Sequence, residues 1–229
     1  MSGFVLKINR ICVYLCTNKN SELILISYPT RSRKIFKFLF FVGLVIQELI
    51  RLPHQRRRTQ NQKPDEVIDD TLTLPHVLLD KLAFGGLEVV PAFYLFTPWL
   101  HFADYALPTW VGWVGVLLLG LALGLLWRAH QALGRQWSAT LAIQTEHTLV
   151  MHGVYRSIRH PIYAALWLAA IAQACLLPNW VAGFAGLLCF LPLYLVRVPQ
   201  EEQSMVSHFG EAYRSYMART GRLLPRFDK

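Results

Sequence analysis

The chain has 229 residues, with 23 lysines and arginines against 14 aspartates and glutamates, a formal charge of +9. Hydrophobic residues make up 54% and charged ones only 16%, against about 25% in an ordinary soluble domain. A disordered basic tail is excluded and a nucleic-acid binder disfavoured; apolar segments that cross a bilayer, joined by basic segments, fit both facts.

Residues 1–31 are mixed, with Lys7, Arg10, Lys19 and Arg31 interrupting short apolar stretches. No clean apolar core with a small-residue cleavage site follows the basic start, so a signal peptide is not expected. A poorly ordered extension is. Cys12 and Cys16 form one C-x-x-x-C pair with no second pair to complete a zinc site, and Cys175 and Cys189 lie in apolar runs. Neither a disulfide nor a metal site is expected.

Ile35–Leu49 is the first apolar run and stops near Pro53, where Arg51, Arg56, Arg57, Arg58 and Lys63 begin a basic patch. Its 15 residues reach about 22 Å as a helix, so neighbours must extend it to cross a core of about 30 Å. Residues 54–80 are polar and read as a loop with an interfacial piece. Leu82–Leu100 is the second run and carries Glu88 and Pro91. An acid in a span is a functional candidate, but an interfacial or bundle-facing role is the favoured reading. Trp99, His101 and Tyr105 make an aromatic end.

Val111–Trp127 is the clearest span. Gly120 and Gly124 form a small-x-x-x-small pair, with Gly112 and Gly115 before them, and such glycines are expected to let a neighbouring helix approach closely. Residues 128–160 are polar again. Pro161–Leu177 and Trp180–Val196, separated only by Pro178 and Asn179, predict a tight helical hairpin over 161–196. Pro199 followed by Glu201 and Glu202 predicts a helix start. Met205, Phe209, Ala212, Tyr213 and Tyr216 then share one face, giving an amphipathic helix over 199–220 outside the membrane.

The expected fold is thus an all-α integral membrane protein of about five transmembrane helices with a cytosolic C-terminal helix. The links 101–110 and 178–179 carry no Lys or Arg, whereas 51–81, 128–160 and 197–229 are basic and should face the cytoplasm. Arg31, Arg33 and Lys34 fit least well, since this topology puts the N-terminus outside.

Polar side chains concentrate at the cytoplasmic side in EHTLVMHGVYRSIRHPIY (146–163) and RVPQEEQSMVSHFGEAYRSY (197–216). A pocket roofed by both would be wet on one side and open to lipid on the other. Arg159 can grip a carboxylate through two parallel hydrogen bonds. Glu201 or Glu202 can accept from an ammonium or a diol, and Tyr155 and Tyr163 can stack or offer a hydroxyl. Pro161 keeps His160 out of helical conformation, at the positive end of the next helix. Against this, Arg156, Arg159 and His160 could be interfacial anchors, Tyr213 and Tyr216 a packed face, and His130 and His152 headgroup-facing. No G-x-G-x-x-G loop follows a strand, so a soluble-type cofactor fold is unsupported.

GVYRSIRHPIY (153–163), a hairpin, and EEQSMVSHFGEAYRSYMARTGRLLPRF (201–227) resemble the isoprenylcysteine carboxyl methyltransferases and their bacterial relatives, strongly over 111–227 and loosely over 35–110. The resemblance implies a multi-pass membrane enzyme using S-adenosylmethionine, its active site facing the cytoplasm, its core within 111–229. It implies cofactor contacts at His147, Thr148, Leu149 and Val150, at Tyr155, at His160, Pro161, Ile162 and Tyr163, and at Glu201, with Glu202 beside it. It implies that Arg197 holds the acceptor carboxylate; Arg159 and Arg197 are the two arginines assigned to chemistry. Thr140 stands where eukaryotic members have a glutamine, which separates the substrates. The partners implied are the bilayer and a lipid-like or prenylated acceptor, with no metal and no nucleic acid. Phospholipid N-methylation, a sterol-type nicotinamide-dependent reductase and a non-enzymatic scaffold are the competing readings. The reductase pattern continues from the tyrosine into glycine and glutamate, where this chain has Ala164, Ala165 and Leu166.

Overall fold

The computed structural model describes residues 4–8, 11–17, 23–25, 30–61, 74–134 and 149–226. The N-terminal stretch, expected to be poorly ordered, carries three short strands, β1 (Phe4–Ile8), β2 (Ile11–Thr17) and β3 (Leu23–Leu25). They form an antiparallel sheet in the order β1-β2-β3, with Phe4 opposite Leu15 and Ile8 opposite Ile11. Val5, Ile8, Ile11, Val13 and Tyr14 are strand formers, and they outweigh the interrupting charges. The all-α expectation therefore holds only from Thr30 onward.

From there the described chain is helical: α1 (Thr30–Asn61), α2 (Leu74–Phe84), a π-turn (Gly85–Val89), α3 (Val90–Phe96), α4 (Thr109–Leu133), α5 (Pro161–Leu176), α6 (Trp180–Phe209) and α7 (Glu211–Arg219). Two of these, α4 with 25 residues and α6 with 30, are long and apolar enough to cross a membrane, and α5 is a shorter apolar helix. Hydrogen bonds fix how the rods alternate. Tyr105 N–H, ahead of α4, donates to Pro178 O at the α5–α6 turn (3.0 Å). Arg33 near the start of α1 reaches Asp104 (3.1 Å). At the opposite end, Asp80 of α2 meets Arg197 of α6 (2.7 Å).

Small side chains line much of the inner face of α5 and α6, and large ones cover the outer face of α4. Ala164, Ala165, Ala169, Ala170 and Ala172 of α5 and Ala182 and Ala185 of α6 are buried, while Trp110, Trp113, Leu117, Leu121 and Trp127 of α4 are exposed. Lipid tails are as apolar as leucine, so close backbone approach rather than water exclusion holds such helices together. Trp110 and Trp127 stand about 26 Å apart along α4, and Trp99, Trp110 and Trp180 crowd one end, the position of an interfacial aromatic belt.

Of the glycines expected to admit a neighbour, Gly115 does and the Gly120–Gly124 pair does not. A Cβ on Gly120 or Gly124 would meet nothing within 4 Å, whereas one on Gly115 would lie 2.8 Å from Cys175 Cβ and from Leu176 Cγ. The G-x-x-x-G spacing places two glycines on one face without saying which face meets a neighbour. Gly115→Ala should accordingly destabilise by about 1–3 kcal/mol through overpacking. Gly120→Ala should leave stability unchanged or raise it by up to about 1 kcal/mol. Thermal unfolding of both variants in detergent separates them.

Three polar groups within the bundle have partners there. Gln173 Nε2 donates to Gly86 O of the π-turn (3.0 Å) and to Ala182 O (2.6 Å), joining α5 to both neighbours. Glu88, read as structural, accepts from Arg51 (2.8 Å) and Gln47 (3.3 Å) of α1. His130, expected to face headgroups, is buried at 2% exposure with Nδ1 2.9 Å from Leu126 O. At the tryptophan-rich end Asp104 gathers Arg33, Tyr94 (2.8 Å) and Asn179 (2.8 Å), and Asn179 Oδ1 caps α6.

Two helix boundaries also differ. α1 runs through Pro53, and α6 continues through both Pro192 and Pro199. The C-terminal helix expected from 199 is instead the last third of α6, and the break comes at Gly210 (φ 55, ψ −127). Proline favours a first turn but is tolerated inside a long helix that packing holds; positive φ is what glycine uniquely supplies.

Candidate active site

The site lies at the end of the bundle opposite the Asp104 cluster. Pro161 begins α5 and keeps His160 in a non-helical conformation (φ −122, ψ 62). Tyr163 follows one turn along, facing α6. From α6 come Arg197 and, one turn later, Glu201, with Glu202 beside it.

The two glutamates do different work. Tyr163 OH donates to Glu201 Oε1 at 2.6 Å, and Arg197 Nε donates to the same oxygen at 3.0 Å. Glu201 Oε2 lies 3.7 Å from His160 Nδ1, beyond a good hydrogen bond. That oxygen keeps acceptor capacity, and the Glu201 side chain is 20% exposed. Glu202 is 5% exposed and turned into the protein. Its Oε1 faces Arg159 Nε (3.1 Å), His160 Nε2 (3.3 Å) and Arg222 Nε (3.3 Å), and its Oε2 accepts from Arg222 Nη2. Burial alone would raise this carboxyl, but hydrogen bonds from His160, Arg222 and Arg159 hold it down to about 2.

Arg159 is committed to the scaffold. Beyond Glu202 its Nη1 donates to Met217 O (3.0 Å) and to Thr220 O. The segment after α7 lies along residues 157–160 like a strand: Arg159 N–H donates to Gly221 O (2.8 Å), His160 N–H to Arg222 O (3.0 Å), and Gly221 N–H to Ser157 O (3.2 Å). A Cβ on Gly221 would sit 1.8 Å from Leu224 O, so the turn needs glycine. Tyr216 OH donates to Tyr155 O (2.6 Å), and Tyr155, Tyr213 and Tyr216 are buried. Burial first, then nearby Tyr216 and Glu201, push the Tyr155 phenol up, keeping it a neutral donor.

Arg197 is 9% exposed. Besides Glu201, its Nη1 donates to Asp80 Oδ1 of α2 at 2.7 Å. Below this pair α2, α5 and α6 share an apolar cluster of Ala83, Ala170, Phe190 and Leu193, with Leu79, Tyr163 and Trp167 packed against it.

Of the residues singled out from the sequence, the structure brings together Arg159, His160, Tyr163, Arg197, Glu201 and Glu202. Leu149 and Val150 are half-buried ahead of the 3-10 turn Gly153–Arg156; Pro161 is buried and Ile162 half-buried. His147 and Thr148 lie outside the described residues. Asp80, Gly221 and Arg222 were not anticipated. Asp80 sits in a stretch read as loop, and no local pattern links it to Arg197, 117 positions away.

Arginine, histidine, tyrosine and carboxylate groups thus converge at one end of an apolar bundle. Residues 113–207 match the model of the isoprenylcysteine carboxyl methyltransferase (ICMT) family. A rice (Oryza sativa subsp. indica) protein named probable protein-S-isoprenylcysteine O-methyltransferase is 29% identical over 117 residues, 50% of this chain and 61% of its own. The Schizosaccharomyces pombe protein-S-isoprenylcysteine O-methyltransferase is 34% identical over 71 residues, 31% of this chain and 30% of its own. The Homo sapiens protein of that name is 35% identical over 79 residues, 34% of this chain and 28% of its own. The chain thus spans about three fifths of the rice relative and under a third of the other two.

Proposed function

We propose that the protein is an S-adenosylmethionine-dependent methyltransferase that esterifies the carboxylate of a lipid-like acceptor of the isoprenylcysteine type. It would be a multi-pass membrane protein of five spans, α1, α2–α3, α4, α5 and α6, with the site facing the cytoplasm. The observation that carries this reading is the cluster of Tyr163, Arg197 and Glu201 across the α5–α6 seam, inside the segment that matches the methyltransferase family.

The residues present suit the cofactor. Glu201 Oε2 has spare acceptor capacity for an ammonium or a diol, beside the His160 and Tyr163 rings, whose centroids are 5.7 Å apart. Leu149, Val150, Tyr155 and Ile162 would supply apolar and aromatic wall, with His147 and Thr148 preceding them in the chain. When bound, S-adenosylmethionine supplies a methyl group on a sulfonium, open to nucleophiles.

The chain then has to align and desolvate. Arg197 orients the acceptor carboxylate, which is already ionised at neutral pH and needs no general base. Held by Arg197, one carboxylate oxygen would face the methyl group that the bound cofactor would supply. No proton moves, so fixed geometry and exclusion of water carry the rate. Arg159 and Glu202 act indirectly here, by holding His160 and Glu201 in register.

Two measurements test this. Calorimetry on purified protein in lipid should show S-adenosylmethionine binding that Glu201→Ala weakens. Mass spectrometry of membrane extracts given methyl-labelled cofactor should find base-labile label on an isoprenoid carboxylate. Label on phospholipid amine, or unaltered binding in Glu201→Ala, overturns the assignment.

A further inference from the structure

Arg197 holds two carboxylates of unequal mobility. Glu201 is one turn away on the same helix, 20% exposed, and shared with Tyr163 OH. Asp80 comes from α2, its side chain 41% exposed, meeting the guanidinium at 2.7 Å. A carboxylate arriving at Arg197 can displace only a partner free to swing into water, and Asp80 is that partner.

We propose that Asp80 is a stand-in for the acceptor's carboxylate, holding Arg197 when the site is empty and returning to it after methyl transfer to expel the ester. This role rests on the carboxyl-methylation reading above. Glu201 stays on the guanidinium throughout, so Asp80 can leave without stranding a buried charge, and it occupies Nη1 while the site is empty. An incoming carboxylate replaces Asp80 charge for charge, while Asp80 regains water at the mouth of α2. Methylation then removes the acceptor's charge. An ester oxygen is a weaker partner for a guanidinium than a carboxylate, so Asp80 wins the exchange and the product is released. Leu79, beside Asp80, and Ala83, one turn on, pack on the α5–α6 cluster and keep Asp80 at that mouth. Asp80 is a positioning residue in this scheme, acting through Arg197.

The test uses the full chain in vesicles, with N-acetyl-S-farnesylcysteine as acceptor and its methyl ester as inhibitor. Asp80→Asn should lower the acceptor KM and the ester inhibition constant together by about two- to fivefold, the range of a solvent-exposed ion pair. Asp80→Glu should restore both. A stable Asp80→Asn protein with unchanged or raised constants overturns the proposal, as does Asp80→Glu behaving like Asp80→Asn. Asp80→Ser covers the case in which Asp80→Asn does not fold; if both unfold, the pair is structural and the proposal fails. Wild-type protein that methylates no carboxylate removes the reaction assignment and this role with it. Unaltered constants in an active Asp80→Asn protein remove only the role.

Discussion

Arg197→Ala should lower kcat/KM for a carboxylate acceptor by about two to three orders of magnitude, the scale of truncating one partner of a buried, hydrogen-bonded charge pair. The guanidinium is buried, its Nε on Glu201 and its Nη1 on Asp80. Its removal takes away the only cation among the described residues that meets both carboxylates, and leaves Glu201 and Asp80 without it. Arg197→Lys should recover little, because a single ammonium cannot reproduce the two-pronged fork. Steady-state kinetics in vesicles, read beside cofactor affinity, check this. Activity within tenfold of wild type would show that the acceptor is held elsewhere.

Glu202→Ala should be the most damaging substitution for stability at this end of the molecule, costing about 3–5 kcal/mol. It strips the shared carboxylate from Arg159, His160 and Arg222, and Arg159 is itself largely buried, at 10% side-chain exposure. Thermal unfolding in detergent reads the loss, and an unchanged melting temperature would mean that the backbone bonds of residues 157–160 to 221–222 suffice alone. The same carboxylate sets an acid limit. Its folded-state pKa of about 2 lies below its ordinary 4.5, so its stabilisation is complete above pH 4.5 and disappears as pH falls towards 2. Glu202→Ala should abolish this part of the acid dependence.

The helices were legible where apolar runs are long and their ends marked. α4, α5 and α6 start within two residues of their sequence limits, though α4 and α6 run on past their expected ends, and His160 is at the head of α5 because proline constrains its predecessor in any context. What misled was local punctuation with two meanings. Pro53 and Pro199 read as boundaries but lie inside helices, because packing along a long rod outweighs one missing hydrogen bond. Gly120 and Gly124 match an interface motif but face outward, while the close contact falls at Gly115. Within the site, His160, Tyr163, Arg197 and Glu201 were visible as motif positions. That Glu202 and Arg159 would pair with each other was not, since both carry the chemistry expected of ligand contacts. Asp80 and Arg222 enter through tertiary folding alone. The awkward charge near the N-terminus has a similar resolution. Of Arg31, Arg33 and Lys34, Arg33 is paired with Asp104, so it is not a bare positive charge.

The continuity of α6 ties the reaction to the thickness of the membrane. Its 30 residues make a rod of about 45 Å, of which about 30 Å can lie in hydrocarbon. The remainder carries Glu201 and Glu202. Because α6 is one unbroken helix across the embedded and projecting parts, a tilt imposed by a thinner bilayer moves Glu201 against His160 and Tyr163 as a lever moves its tip. Because α5 is short, at 16 residues, the two helices cannot respond to mismatch by the same tilt. Turnover should therefore peak at one lipid chain length and fall on either side in reconstituted vesicles of stepped acyl length, and a flat profile would show that the seam absorbs the strain elsewhere.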